Sequence, residues 1–96
     1  MAGYFLVELE WTDLEGKARS IKEAAGVIAA FDGTFVVSAP EVRVIEGESP
    51  VKNMLVILRF PSAERALAWY DSPEYTPLRQ LREQSGRTNM IFVEGA

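Results

Sequence analysis

An α+β fold in the order strand, helix, strand, strand, helix, strand is predicted for this chain by three observations. Tyr4 to Trp11 alternates, with Phe5, Val7, Leu9 and Trp11 pointing one way and Tyr4, Leu6, Glu8 and Glu10 the other, which is the period of a strand. Met54 to Phe60 is apolar at every position but Arg59 and rich in branched residues, as in a central strand covered on both faces. Segments of helical periodicity follow each of these strands, so the arrangement is the ferredoxin-like split βαβ: a four-stranded antiparallel sheet with both crossover helices on one face.

Each element has its own local cause. In Thr12-Asp13-Leu14-Glu15, either Thr12, with Glu15 reaching back, or Asp13 can cap the first helix. Leu14, Ala18, Ile21, Ala25 and Ile28 then recur at helical spacing and form the face expected on the sheet, with Lys17, Arg19, Lys22 and Glu23 largely off it. Asp32-Gly33 ends this helix, Gly33 being the residue expected in the left-handed cap. An extended region begins at Thr34. Its apolar runs, Phe35 to Val37 and Val42 to Ile45, are separated by Ser38-Ala39-Pro40-Glu41, and because proline cannot donate to a ladder the strand is expected to break or bulge at Pro40, at a sheet edge or where another chain approaches. Gly47-Glu48-Ser49-Pro50 reads as a turn into the central strand.

The central strand stops at Pro61. Ser62 caps the next helix, with Glu64 at the positive end of its dipole and Ala63, Ala66, Leu67 and Tyr70 on one face. Ser72-Pro73-Glu74 repeats the device, with Ser72 as cap and Pro73 in the first helical position, and Leu78 and Leu81 share one side of this second piece. Gly86 closes it, and Thr88 to Glu94 is the last strand.

Composition narrows the functional classes. The 96 residues, 48% hydrophobic, suit a single domain spanning 1–96. Fourteen acidic residues against 10 basic ones give a net charge of −4, and the cations are scattered, which disfavours nucleic acid. With no cysteine and no histidine, the chain lacks disulfides, thiolate nucleophiles, the usual general base and the commonest metal ligands, so neither metal nor cofactor is expected. MAGYFLVELEW has no basic lead and meets Glu8 and Glu10 before any long apolar run, so a signal peptide and a membrane span are not expected and a cytoplasmic protein is.

Both faces of the predicted sheet are apolar. Leu55 and Ile57 oppose Met54, Val56, Leu58 and Phe60, and Ile91 and Val93 oppose Met90 and Phe92. If the helices cover one face, the other is too apolar to stay wet, and a homodimer joined through its sheet faces is expected.

Gly3-Tyr4, Thr12-Asp13, Gly33, Phe60-Pro61-Ser62, Ala66, Trp69-Tyr70 and Ser72-Pro73-Glu74-Tyr75 resemble the domain of unknown function 1330 family across nearly the whole chain. The resemblance implies a dimeric α+β barrel, in a superfamily that includes cofactor-free monooxygenases, decarboxylases and isomerases as well as members with no known activity. The chain departs from the family's habit at Lys17 and Ser20, where tyrosines are common, at Asp32-Gly33 in place of Gly-Gly, and at Ala39-Pro40 in place of a glycine-rich bend.

Seven residues are candidates for a ligand site. Trp69, Tyr70 and Tyr75 bring rings with polar tips to the joint between the helical pieces, as a flat organic ligand would need, although core packing explains them too. Arg79 and Arg82 share the helical face of Tyr75 and could clamp a carboxylate or enolate, or could pair with Glu74, Asp71 or Glu83. Arg59 is a cation in an apolar strand that could orient an anion or pair with Glu8 or Glu10; Glu8 could be a base if buried. Asn89 could hold an oxyanion or simply begin a strand, and Glu46 and Glu48 read as turn charges. Two functions follow: binding, or transforming, a small aromatic or apolar acid in a cavity between sheet and helices, or serving as a non-catalytic dimerisation module. A cavity of roughly 300 Å³ or more with a tyrosine or arginine in its lining supports the first, and a filled interior the second.

Overall fold

The strands β1 (Ala2–Trp11), β2 (Thr34–Ala39), β3 (Met54–Phe60) and β4 (Gly86–Gly95) form one antiparallel sheet in the order β2-β3-β1-β4. The helices α1 (Leu14–Ala30), α2 (Ala63–Tyr70) and α3 (Thr76–Ser85) complete the computed structural model, which describes residues 1–48 and 54–96. This is the ferredoxin-like order, with the second crossover split into two helices. The turn expected at Gly47-Glu48-Ser49-Pro50 lies partly outside the described residues.

Register explains the core. Phe5 lies opposite Leu58 and Phe92, and Val7 opposite Val56 and Met90, so the alternation within each strand places one apolar row on the helical side. Phe5, Val7, Leu9, Met54, Val56, Leu58 and Phe60 are all buried there, together with Ile28, Ala66, Trp69 and Tyr75 from the helical layer. The opposite row carries Leu6, Leu55 and Ile57, only partly buried, with Ile91 52% and Val93 42% exposed, and no helix among the described residues lies over it.

Pro40 acts as the sequence implies. β2 ends at Ala39, is an edge strand and carries a register shift between Phe35 and Val37, while residues 40–48 with Val42, Val44 and Ile45 make no strand.

Four sequence expectations are corrected. Of the expected stripe on α1 Ile28 alone is buried, with Leu14 76% and Ile21 42% exposed, and the buried side runs instead through Gly16, Ser20 and Ile28. Gly16, Ser20 and Ala24 lie four apart on this side, a row of small side chains that permits close approach to α3. Asp32, not Gly33, holds the left-handed turn, at φ 65°. Gly33 is required for a different reason, since a Cβ there would lie 2.6 Å from both Ile28 Cγ2 and Phe60 Cε2. Helix α3 begins at Thr76 rather than Pro73, because Ser72 to Tyr75 forms a separate hydrogen-bonded turn. Finally, Gly86 is the C-cap of α3 as expected, but in extended conformation it also opens β4, which therefore starts two residues before Thr88.

Of the two possible caps for α1, Asp13 serves: its carboxylate accepts the Glu15 N–H at 3.1 Å, while Thr12 Oγ1 donates to the Ser85 carbonyl. Arg65 joins the end of α1 to the start of α2, with Nε on Asp32 at 3.2 Å, Nη2 on the Ala30 carbonyl and the guanidinium over the Phe31 ring. Among the described residues no helix is long and apolar enough to cross a membrane, and no cluster of acidic residues is arranged to hold a metal ion.

Candidate functional site

A contact between two small residues sets the geometry of the helical layer. Ser85, 1% exposed, donates from Oγ to the Leu81 carbonyl at 2.7 Å, and its own carbonyl accepts the N–H groups of Thr12 and Asp13 at 2.8 and 3.1 Å. A Cβ on Gly16 would sit 1.9 Å from Ser85 Oγ, so glycine is what lets α1 close on α3. One turn further along α1 stands Ser20, and one turn earlier on α3 stands Arg82. Both line the same cavity.

The third wall comes from the turn between α2 and α3. Ser72, 5% exposed, donates from Oγ to the Trp69 carbonyl at 2.8 Å and accepts the Tyr75 N–H at 3.2 Å, which fixes the backbone between the two rings. Their ring centroids lie 4.2 Å apart. Phe5 and Phe60 on the sheet pack against Trp69 at 5.3 and 5.4 Å, so Trp69 is held on both sides.

The cavity between sheet and helices has a volume of about 90 Å³ and is partly open to its surroundings. Its wall is apolar, built from residues such as Val7, Leu9, Val56, Leu58 and Leu78, with Ser20, Ser38, Trp69, Tyr75 and Arg82 as its polar members. The volume falls short of the roughly 300 Å³ expected for a drug-sized ligand. The interior is not filled either.

Ser20 Oγ, Trp69 Nε1 and Arg82 Nε are buried and have no hydrogen-bond partner among the described residues. Thr88 Oγ1 is a fourth such atom and lies outside the cavity lining. Tyr75 accepts a hydrogen bond from Arg82 Nη1, so its own phenolic proton is still available to an acceptor. Burial pushes the Tyr75 pKa above the ordinary phenol value, against the pull of the Arg82 charge. The lining residues therefore carry donors, an indole N–H, a guanidinium N–H, a phenol and a serine hydroxyl, within a wall whose surface is almost wholly apolar. No Asp or Glu is among the described lining residues. Unpartnered buried donors are costly, and an acceptor-bearing ligand would relieve them.

The Tyr75 shift makes a stability prediction. The folded state holds the phenolic proton more tightly than the unfolded one, so this contribution is complete below pH ~10, the unfolded value, and is lost as pH rises through Tyr75's higher value. In urea titrations at increasing pH, wild type should lose stability over this alkaline window more steeply than Tyr75→Phe. Equal slopes would show that Tyr75 does not titrate differently on folding.

The structure gathers some of the sequence candidates and separates others. Trp69, Tyr75 and Arg82 meet in the cavity wall. Tyr70 stands just behind them, 5.7 Å from the Tyr75 ring and stacked on Phe5, and Arg79 lies over its ring at 5.2 Å while pairing with Glu83 at 3.9 Å. Arg59, Glu8 and Asn89 lie on the opposite face of the sheet, away from the cavity. Arg59 donates to Tyr4 Oη at 3.3 Å instead of pairing with Glu8 or Glu10. Register accounts for the correction: Arg59 is opposite Tyr4, four residues from Glu8 and so about 13 Å along the strand. Glu10 pairs with Arg87 at 3.3 Å. Ser20 was not visible as a site residue from sequence. The signal that could have found it is the small-residue row Gly16, Ser20, Ala24, which marks a close helix contact.

Fold and site together define a small ferredoxin-like α+β protein with an apolar cavity between sheet and helices, walled in part by Ser20, Trp69, Tyr75 and Arg82. The chain belongs to the family Domain of unknown function (DUF1330), which matches residues 2–96. Among solved structures it is similar to a protein of unknown function from Rhodopseudomonas palustris, at 14% identity and a TM-score of 0.79 over 99% of this chain and 82% of that one. A dimeric ferredoxin-like protein of unknown function from Jannaschia sp. CCS1 gives 17% identity and a TM-score of 0.79 over 99% and 100%. SnoaB, a cofactor-independent oxygenase from Streptomyces nogalater, gives 12% identity and a TM-score of 0.60 over 99% and 93%. At these identities the likeness is one of fold. No match was found among curated protein sequences.

Proposed function

We propose that the protein is a homodimer that binds a small apolar or aromatic acid, without a cofactor, in the cavity between sheet and helices. The observation that carries this reading is the set of buried donors without partners, Ser20 Oγ, Trp69 Nε1 and Arg82 Nε, on residues lining one apolar cavity with no described carboxylate in its wall. A carboxylate or enolate oxygen would satisfy them and meet the Arg82 charge. Binding is favoured over base-assisted turnover, because the titratable lining groups are a phenol held protonated and a guanidinium, and neither accepts a proton at neutral pH. Dimerisation is supported by the apolar outer row of Leu6, Leu55, Ile57, Ile91 and Val93, and by the dimeric state given for the similar Jannaschia protein.

Two measurements test the proposal. An acid present at about 100 times its Kd should stabilise the fold by roughly 2.7 kcal/mol and raise Tm, and Arg82→Gln should lose most of that shift. In sedimentation equilibrium at micromolar concentration, wild type should be dimeric and Ile57→Glu monomeric. A panel of acids that leaves Tm unchanged would overturn the binding reading, and a monomeric wild type the dimer. The small cavity volume favours a dimerisation module without ligand as the second reading, which an intact dimer with a flat acid panel would select.

A further inference from the structure

The outer face of the sheet is not evenly apolar, and its pattern limits how a second copy can sit on it. Strand register arranges this face in rows that run across the strands. In the middle row Val37, Ile57, Leu6 and Ile91 stand side by side, one from each strand. The row on one flank sets Arg59 next to Tyr4, and the row on the other sets Glu8 next to Asn89. Glu10 and Arg87 face each other one step further out on the Glu8 side. Arg59 and Glu8 are therefore about 13 Å apart along the strands, with the apolar row midway between them.

The two ends differ in charge. Arg59 is exposed, donates to Tyr4 Oη at 3.3 Å and makes no ion pair with a carboxylate of the described residues. Tyr4 in turn donates to the Ala96 carbonyl oxygen at 3.1 Å. At the other end two carboxylates, Glu8 and Glu10, accompany one guanidinium, that of Arg87, which pairs with Glu10 at 3.3 Å. Glu8 also interacts within its own chain, and a carboxylate has acceptor sites enough for a second donor.

Two copies that meet through this face are related by a two-fold axis lying between the sheets. If the axis runs along the strands, each end meets its own twin and like charges oppose the contact. If it runs across the strands at the level of Leu6 and Ile57, the apolar row packs on itself and the ends exchange. Packed sheets lie about 10 Å apart, a gap that an arginine and a glutamate side chain span together.

We propose that the homodimer has its two-fold axis across the strands, with Arg59 of each protomer paired to the partner's Glu8 on either side of a shared apolar row. This inference rests on the dimer reading above. It gives Arg59, a cation in an otherwise apolar strand, a carboxylate that its own register keeps out of reach.

Sedimentation equilibrium and native mass spectrometry of charge-exchanged variants test it. Arg59→Glu or Glu8→Arg alone turns both contacts repulsive and is expected to weaken dimerisation about tenfold or more. The double variant restores both pairs and should dimerise as wild type does. Within one chain the two positions are too far apart to compensate each other, so restoration reports a contact between protomers. The double variant should form no mixed dimer with wild type, because like charges would then meet at both ends. Arg59 is exposed, so Arg59→Glu still decides the matter if a change at the half-buried Glu8 unfolds the chain. Three results overturn the orientation and leave the dimer standing: Arg59→Glu dimerising like wild type, a folded double variant that stays monomeric, or mixed dimers forming in preference to either parent. A monomeric wild type overturns the dimer, and the orientation with it.

Discussion

Trp69→Ala is expected to destabilise the protein by about 3–5 kcal/mol, most of the stability of a domain of this size. Trp69 is 2% exposed and touches rings on three sides: Phe5 and Phe60 from the sheet, and Tyr75 from the turn that follows its own helix. Removing the indole leaves a cavity that none of these can fill, since Phe5 and Phe60 are fixed by strand register and Tyr75 by the Ser72 turn. Urea unfolding followed by circular dichroism should show the midpoint falling sharply or the transition disappearing. Trp69→Phe separates packing from polarity. The indole N–H has no partner among the described residues, so its loss breaks no internal hydrogen bond, and the variant should be far milder than alanine. If Trp69→Ala retained the wild-type midpoint, the ring cluster would not be the anchor of the helical layer.

Gly86→Val should be similarly damaging for another reason. A Cβ at Gly86 would lie 2.3 Å from the Glu10 carbonyl oxygen and 3.0 Å from Trp11 Cα. Those are backbone atoms of the neighbouring central strand, so no side chain can swing aside. Gly86 itself is extended, at φ 170°, and the penalty is contact rather than torsion. Roughly 3 kcal/mol or more is expected, at the upper end of what overpacking produces, because the Trp11–Gly86 end of the β1–β4 ladder must separate. Hydrogen exchange offers a local check. The Thr12 and Asp13 amides, both bonded to the adjacent Ser85 carbonyl, should lose protection before the middle of the sheet does. Unchanged protection there, with unchanged stability, would mean that this corner yields easily.

The fold was largely legible because its strands obey simple periodicities. The alternation in Tyr4 to Trp11 and the apolar run from Met54 to Phe60 follow from what a two-sided sheet needs, and Pro61-Ser62 punctuates the chain by local chemistry alone. Side chains whose role depends on a distant neighbour were harder to read. The buried face of α1 went unseen because hydrophobicity points to Leu14 and Ile21, whereas the packing is decided by how near Gly16 and Ser20 allow α3 to come. Gly33 has the residue type of a left-handed cap, yet its reason lies in Phe60, 27 positions away. The site shows the same division. Trp69, Tyr75 and Arg82 sit within one local segment, so their meeting could be anticipated, while Ser20 arrives from another helix and Arg59 and Glu8 are carried to the far face by pairings no local pattern reveals.

The bulge in β2 has a consequence for how copies of this chain can accumulate. A ribbon that grows protomer by protomer through strand pairing needs two straight free edges on each unit. The shift at Phe35–Val37 and the proline just past Ala39 spoil one of them, leaving, among the described strands, the long β4 rim to receive a partner strand. Edge-to-edge growth therefore terminates after a single pairing event, and the chain is guarded against fibrous polymerisation through its sheet edges.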